Sequence, residues 1–163
     1  MQRGSQAPDE AAILLVEDRQ DDILLVRRAF RKAGVRNPIE AVPDGEEAMA
    51  YLLGIGQYAD RARFPFPSLV LLDLKMMKMN GFETLRWIRS LPAFKSLRVI
   101  VLTSSEDIFD VNKAYELGAN SFLVKPFEFE EFTALARTLA KFWFELDRSS
   151  TPPRAVPDEK PSR

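Results

Sequence analysis

Apolar positions along the chain follow two alternating rhythms, short unbroken runs and runs spaced at three and four. Ile13-Leu14-Leu15-Val16 is an unbroken run of strand formers that stops at the acidic pair Glu17-Asp18. From Asp21 to Gly34 the apolar residues Ile23, Val26, Phe30 and Ala33 are interleaved with Arg27, Arg28, Arg31 and Lys32. That spacing predicts an amphipathic helix closed by a C-terminal glycine. Pro38 to Val42 reads as a second strand. Asp44 with Glu47 three residues on has capping-box spacing and opens a helix to about Leu53. SLVLLD from Ser68 to Asp73 is a third strand, apolar enough to be buried on both faces. A helix from Gly81 to Leu91 follows, with Phe82, Leu85 and Ile88 inward and Pro92 just past its end. RVIVLT from Arg98 to Thr103 is the fourth strand. Ser105 is placed to cap a fourth helix that turns Ile108, Val111 and Tyr115 to the core and stops at Gly118. Asn120 to Val124 is the fifth strand, ended by Lys125-Pro126, and a last helix spans Glu128 to Leu146.

Strands alternating with helices imply βαβ units, so the expected fold is α/β: a doubly wound (βα)5 three-layer sandwich on a parallel five-stranded sheet. One domain should occupy residues 12–146. The polar N-terminal stretch 1–11 and the proline-rich, charged stretch 147–163 are expected to be disordered. Between Gly54 and Pro67 lie two glycines and two prolines with no clear period. A connection of that length is either a surface insertion or a binding element.

Composition narrows the chemistry. With 23 basic and 24 acidic residues the net charge is −1, which leaves no electrostatic footprint for nucleic acid or an anionic membrane. The chain has no cysteine and no histidine. Thiolate metal sites, cysteine nucleophiles and imidazole bases are therefore absent, and carboxylates, lysines and hydroxyls suited to a hard cation such as Mg2+ remain. No apolar run approaches the roughly 20 residues of a membrane span, and the N-terminus lacks the apolar stretch of a signal peptide. The expected location is cytoplasmic. No DNA-binding domain is expected after Leu146.

The reactive-looking residues all end strands: Glu17 and Asp18 the first, Asp73 the third, Thr103 the fourth, Lys125 the fifth. A parallel sheet brings those ends to one edge, where open α/β sheets bind ligands. Singly, each reads as a helix cap or a solvated loop residue. Together, three carboxylates in one crevice repel and need compensation, which a divalent cation and the Lys125 ammonium would supply.

The segments ILLVEDRQDD, LVLLDLKMMKMNGFE, VIVLTSS and GANSFLVKPF, in that order over residues 12–146, resemble the receiver domains of two-component response regulators. The resemblance implies a flavodoxin-like strand order 2-1-3-4-5 and phosphorylation of Asp73 by a separate sensor histidine kinase. It further implies Mg2+ held by Asp18, Asp73 and the Lys75 backbone carbonyl, with Glu17 acting largely through water. By the same resemblance Lys125 binds the phosphoryl group, Thr103 is the switch hydroxyl and Phe122 the switch aromatic, and Lys125–Pro126 is cis. Onward phosphotransfer to another protein is a further implied output. The Gly54–Pro67 segment, LTSSEDIFDVNKAYELGANSFLVKPF and the aromatic end of the last helix look like the single-domain regulators paired with bacterial phytochromes. Those form homodimers through a helix 4–strand 5–helix 5 face.

Three features depart from or extend the pattern. Met77 stands where many receivers have proline. Lys75 is either a solvated loop residue or, with Ser105, a tuner of dephosphorylation. In the last helix Phe132, Leu135, Leu139, Phe142 and Leu146 form one seam, and Phe129, Trp143 and Phe144 lie outside it. The extra rings are either core or, with Phe142, a dimerisation or kinase-docking surface. Two rivals stand beside the switch reading: a haloacid-dehalogenase-type phosphatase and a receiver-like module that is never phosphorylated. The phosphatase chemistry needs an acid two positions after the nucleophile, where this chain has Lys75.

Overall fold

The structure, a computed structural model, describes residues 11–150, with side chains as far as Trp143. Most of the two terminal stretches expected to be disordered, residues 1–10 and 151–163, lies outside the described residues, as does the Phe144 side chain. The elements run β1 (Ala12–Val16), α1 (Gln20–Lys32), β2 (Ile39–Val42), α2 (Gly45–Leu53), β3 (Pro67–Leu72), α3 (Gly81–Ser90), β4 (Arg98–Thr103), α4 (Ile108–Glu116), β5 (Ser121–Val124) and α5 (Phe129–Ser150). All strand pairs are parallel, in the order β2-β1-β3-β4-β5.

Alternate residues of the central strands feed two separate cores, as the pleat requires. Ile13, Leu15, Leu69, Leu71, Ile100 and Leu102 meet α1 and α5 on one face. Leu14, Val16, Val70, Leu72, Val99 and Val101 meet α2, α3 and α4 on the other. Both faces being covered explains why β1 and β3 are apolar almost throughout. Asp44 caps α2 as its position predicts, accepting from the Glu47 N–H at 2.9 Å. Glu47 does not complete a capping box, because its carboxylate is taken by the Tyr58 hydroxyl at 2.6 Å. The reciprocal box occurs instead at α3, between Asn80 and Glu83.

The segment after α2 is a packed annex. It holds one 3-10 turn, Gly56–Tyr58, and the rings of Tyr51, Tyr58 and Phe64 lie 5.1–6.0 Å apart. Arg61 ties it down by donating to the carbonyls of Leu52 and Phe64.

Five expectations are corrected. The N-cap of α4 is Asp107, which accepts from the Phe109 N–H, while the Ser105 hydroxyl donates to Asp110 at 2.6 Å. The inward face of α4 is centred on Ala114, with Ile108 and Tyr115 exposed. A short helix at the sheet margin packs through its small residue, which permits the closest approach. The α5 stripe is Phe132, Ala136, Leu139, Ala140 and Trp143: Trp143 is core at 2% exposure and Phe142 is 54% exposed. The helix also continues to Ser150, past the expected boundary at Leu146. Finally, no described peptide bond is cis, so Lys125–Pro126 is trans. The two X–Pro isomers differ by only about 0.5–1 kcal/mol, so surroundings rather than sequence select between them.

Candidate functional site

Backbone ladders carry on just beyond the strands and fix the residues that follow. Asp73 N–H donates to the Val16 carbonyl at 3.0 Å, Glu17 N–H to Val42 at 2.9 Å and Lys125 N–H to Thr103 at 2.8 Å. The loop from β3 to α3 is folded tightly back on itself. Gly81 N–H donates to the Leu74 carbonyl at 3.1 Å, and a Cβ at Gly81 would overlap the carbonyl oxygen of Asp73. Only glycine lets the start of α3 press this closely on the β3 exit. In the same loop Met79 sits at φ 47°, a left-handed conformation unusual for a side chain of its size. The Met77 N–H donates to Asp18 Oδ2 at 3.3 Å, tying the loop to the acidic pair.

Glu17, Asp18 and Asp73 each offer a carboxylate oxygen, and these lie within 4.8 Å of one another. Glu17 is 1% exposed and Asp73 6%. Burial pushes the Asp73 carboxyl above its ordinary pKa. The Lys125 charge, the Thr103 hydroxyl and the N–H groups of Leu74 and Lys75 offset this only in part. Burial likewise raises Glu17, helped by the Asp73 charge and opposed by Lys125 and the Arg19 N–H. For Lys125 burial acts to lower the pKa, but hydrogen bonds to Glu17 and Asp22 and the nearby Asp73 charge outweigh it, and the ammonium is held above its usual value. The lysine donates to Glu17 Oε1 at 2.6 Å and to Asp22 Oδ2 at 2.9 Å.

Three converging oxygen donors, two of them buried acids with raised proton affinity, form an anionic pocket that Lys125 does not fully compensate. Such a donor set fits a hard divalent cation. A separate surface cleft of about 660 Å³, lined by Arg27, Arg31 and Asn37 among others, opens between α1 and β2 at the opposite end of the sheet.

The structure thus brings together Glu17, Asp18, Asp73, Thr103 and Lys125. Thr103 is buried, and its Oγ1 also accepts from the Ser105 N–H at 3.5 Å. Lys75 borders the site through its backbone N–H, with its side chain exposed. Phe122 is half-buried against the α2–α3–α4 core. Ser105 is turned to Asp110, and Phe142 and Trp143 lie on α5, outside the pocket. Asp22, in the first turn of α1, was missing from the sequence reading. Acidic residues in a first helical turn are ordinary, and nothing local separates it from Asp21.

Comparison with known proteins agrees with this geometry. The response regulator receiver domain family matches residues 13–137. Response regulator Rcp1 of Synechocystis sp. is 35% identical over 133 residues, spanning 82% of this chain and 88% of its own. A solved Mn2+-bound form of a response regulator Rcp1 superposes with a TM-score of 0.73 at 35% identity, over 83% of this chain and 95% of that one. The phosphorylated cyanobacterial phytochrome response regulator RcpA gives a TM-score of 0.76 at 34% identity, covering 84% and 96% of the two chains. Bacteriophytochrome response regulator RtBRR gives 0.68 at 38% identity, covering 93% and 84%. With the strand order β2-β1-β3-β4-β5, the acidic cluster at the sheet rim and the family match over residues 13–137, the chain belongs to the response regulator receiver domain family of two-component systems.

Proposed function

We propose that the chain is a phosphorylation-driven switch in which Asp73 accepts a phosphoryl group from the phosphohistidine of a sensor histidine kinase. The observation that carries this reading is the buried Asp73 carboxylate at the β3 exit, sharing a pocket with Glu17 and Asp18 and facing the Lys125 charge. Mg2+ would be held by Asp18, Asp73 and the Lys75 carbonyl, with Glu17 as the outer acid. When bound, the dication supplies positive charge to offset the oxygens of the transferring group.

The chain's own residues do the rest. An Asp73 carboxylate oxygen attacks phosphorus, forming an acyl phosphate as the P–N bond to the donor imidazole breaks. Lys125 balances charge on a phosphoryl oxygen as a point cation. Thr103 donates its hydroxyl to another oxygen, vacating space into which the half-buried Phe122 packs. Phosphate contacts thereby bias one of two packings of the α4–β5–α5 face. Lys75, exposed two residues after Asp73, crowds the water that would hydrolyse the acyl phosphate. The chain catalyses only its own phosphorylation and dephosphorylation and acts in the cytoplasm. None of the described helices is long and apolar enough to cross a membrane.

RcpA is a phytochrome response regulator and RtBRR a bacteriophytochrome response regulator, which supports a phytochrome-type kinase as the donor. Output passes through the α4–β5–α5 face by homodimerisation or onward phosphotransfer. That face exposes Ile108, Phe109, Val124 and Phe142, and Phe127 beside it is 97% exposed. Acetyl phosphate with Mg2+ should add one phosphoryl mass to the wild-type chain and none to Asp73→Asn. A wild type that stays unmodified, or an Asp73→Asn that is modified equally, refutes the assignment. Phosphotransfer profiling against phytochrome-type and other histidine kinases tests the partner.

A further inference from the structure

We propose that Asp22 is a positioning residue that holds the Lys125 ammonium off the acceptor, so that a phosphoryl group entering at Asp73 must draw the lysine away from it. The inference rests on the reading of Asp73 as phosphoryl acceptor and adds to it a competitor from α1. The Lys125 backbone is fixed by its N–H bond to the Thr103 carbonyl, so only the side chain is free to swing. Its Nζ is bonded to Glu17 and to Asp22. Two of the three ammonium donors are thereby used on the β1–α1 side. Asp73 acts on Lys125 through space, and no hydrogen bond joins the two among the described residues.

The groups around Lys125 come from every neighbouring element. They are Glu17 at the β1 exit, Asp22 on α1, Asp73 at the β3 exit and Arg19, whose Nε lies 3.6 Å from Asp22 Oδ2. The two carboxylates that bind the lysine are not equivalent. Glu17 belongs to the three-acid pocket, so a dication competes with the lysine for it. Asp22 lies outside that set, and its hold on Lys125 persists when the metal is bound. Phosphoryl oxygens and Asp22 then compete for one ammonium. Weakening Asp22 should favour the phosphorylated arrangement, because the competitor is lost while the phosphoryl–lysine contact is kept. Asp22 is about one quarter exposed, so water replaces its carboxylate when it is changed.

The test is titration of the full chain with fluoroberyllate, a phosphoryl mimic, at saturating Mg2+, followed by calorimetry. Asp22→Asn should bind about fivefold more tightly than wild type, the size of one partly exposed charge-assisted bond. Asp22→Ser should do the same, and Asp22→Glu should return toward wild type. Asp21→Asn removes the same charge from an exposed neighbour and should change nothing. In a Lys125→Gln background Asp22→Asn should lose its effect, as a double-mutant cycle requires when the two residues act on each other. Thermal melts confirm that each variant is folded. Affinity within twofold of wild type in both Asp22→Asn and Asp22→Ser, weaker binding in them, or a gain that survives Lys125→Gln overturns the role of Asp22. A wild type that neither binds fluoroberyllate nor gains mass from acetyl phosphate overturns the acceptor reading itself, and this inference with it.

Discussion

At Asp73 the requirements of chemistry and of folding oppose each other. Its folded pKa is raised above the ordinary 3.8, chiefly by burial. Between that value and the folded one, the folded state binds more protons than the unfolded chain, so stability falls as pH rises through the window. Above it the full penalty of a buried, partly compensated charge remains. Asp73→Asn should therefore melt higher than wild type at neutral pH without divalent cations, by about 2–4 °C for roughly 1 kcal/mol in a chain of this size. The gap should narrow as pH is lowered into the acid range, and a difference that is constant with pH would refute the argument. Lys125 has the same sign of slope in a different window: its raised pKa contributes stability throughout the neutral range and loses it only in strong alkali. Glu17, Asp18, Asp73, Thr103 and Lys125 were legible in the sequence because each follows or ends a recognisable strand. Asp22 was not, because its partner stands 103 positions away and only the docking of α1 against the β5 exit joins them.

Among the elements, α5 separates periodicity from packing. Phe132, Leu135, Leu139 and Phe142 satisfy helical spacing as well as Phe132, Ala136, Leu139, Ala140 and Trp143 do, but the second set is buried. Ala136 and Ala140 are weak hydrophobic signals, yet they let α5 approach α1 and the sheet closely enough for Trp143 to reach the core. Trp143→Ala should cost about 3–5 kcal/mol in urea unfolding, because it opens a cavity in that core. Phe142→Ala, on the exposed side, should stay within about 1 kcal/mol. Equal costs would restore the original seam. The same principle displaced the inward face of α4, where one alanine outweighed Ile108 and Tyr115.

For the whole molecule, the pocket couples metal binding to stability. Three acids from two strand exits converge only in the folded chain, so a dication binds the folded state preferentially. Mg2+ at about 100 times its dissociation constant should add roughly 2.7 kcal/mol of stability. The increment should vanish in Asp18→Asn, measured by denaturant unfolding with and without Mg2+. Dimerisation belongs to the same scale. If the α4–β5–α5 face carries it, sedimentation of the phosphorylated chain should give a dimer that Phe109→Ser weakens without reducing phosphorylation. A variant that sediments like wild type would remove Phe109's patch from the interface.

Order and type of the ten elements, the parallel sheet and the acids at its rim followed from the sequence, because strand and helix periods are imposed by local backbone sterics and strand ends converge wherever βαβ units repeat. Tertiary structure decided which helix faces are buried, the trans Lys125–Pro126 bond and the carboxylates that hold Lys125. Those depend on how closely elements approach and in which direction side chains turn, and residues distant in the chain encode no period that records it.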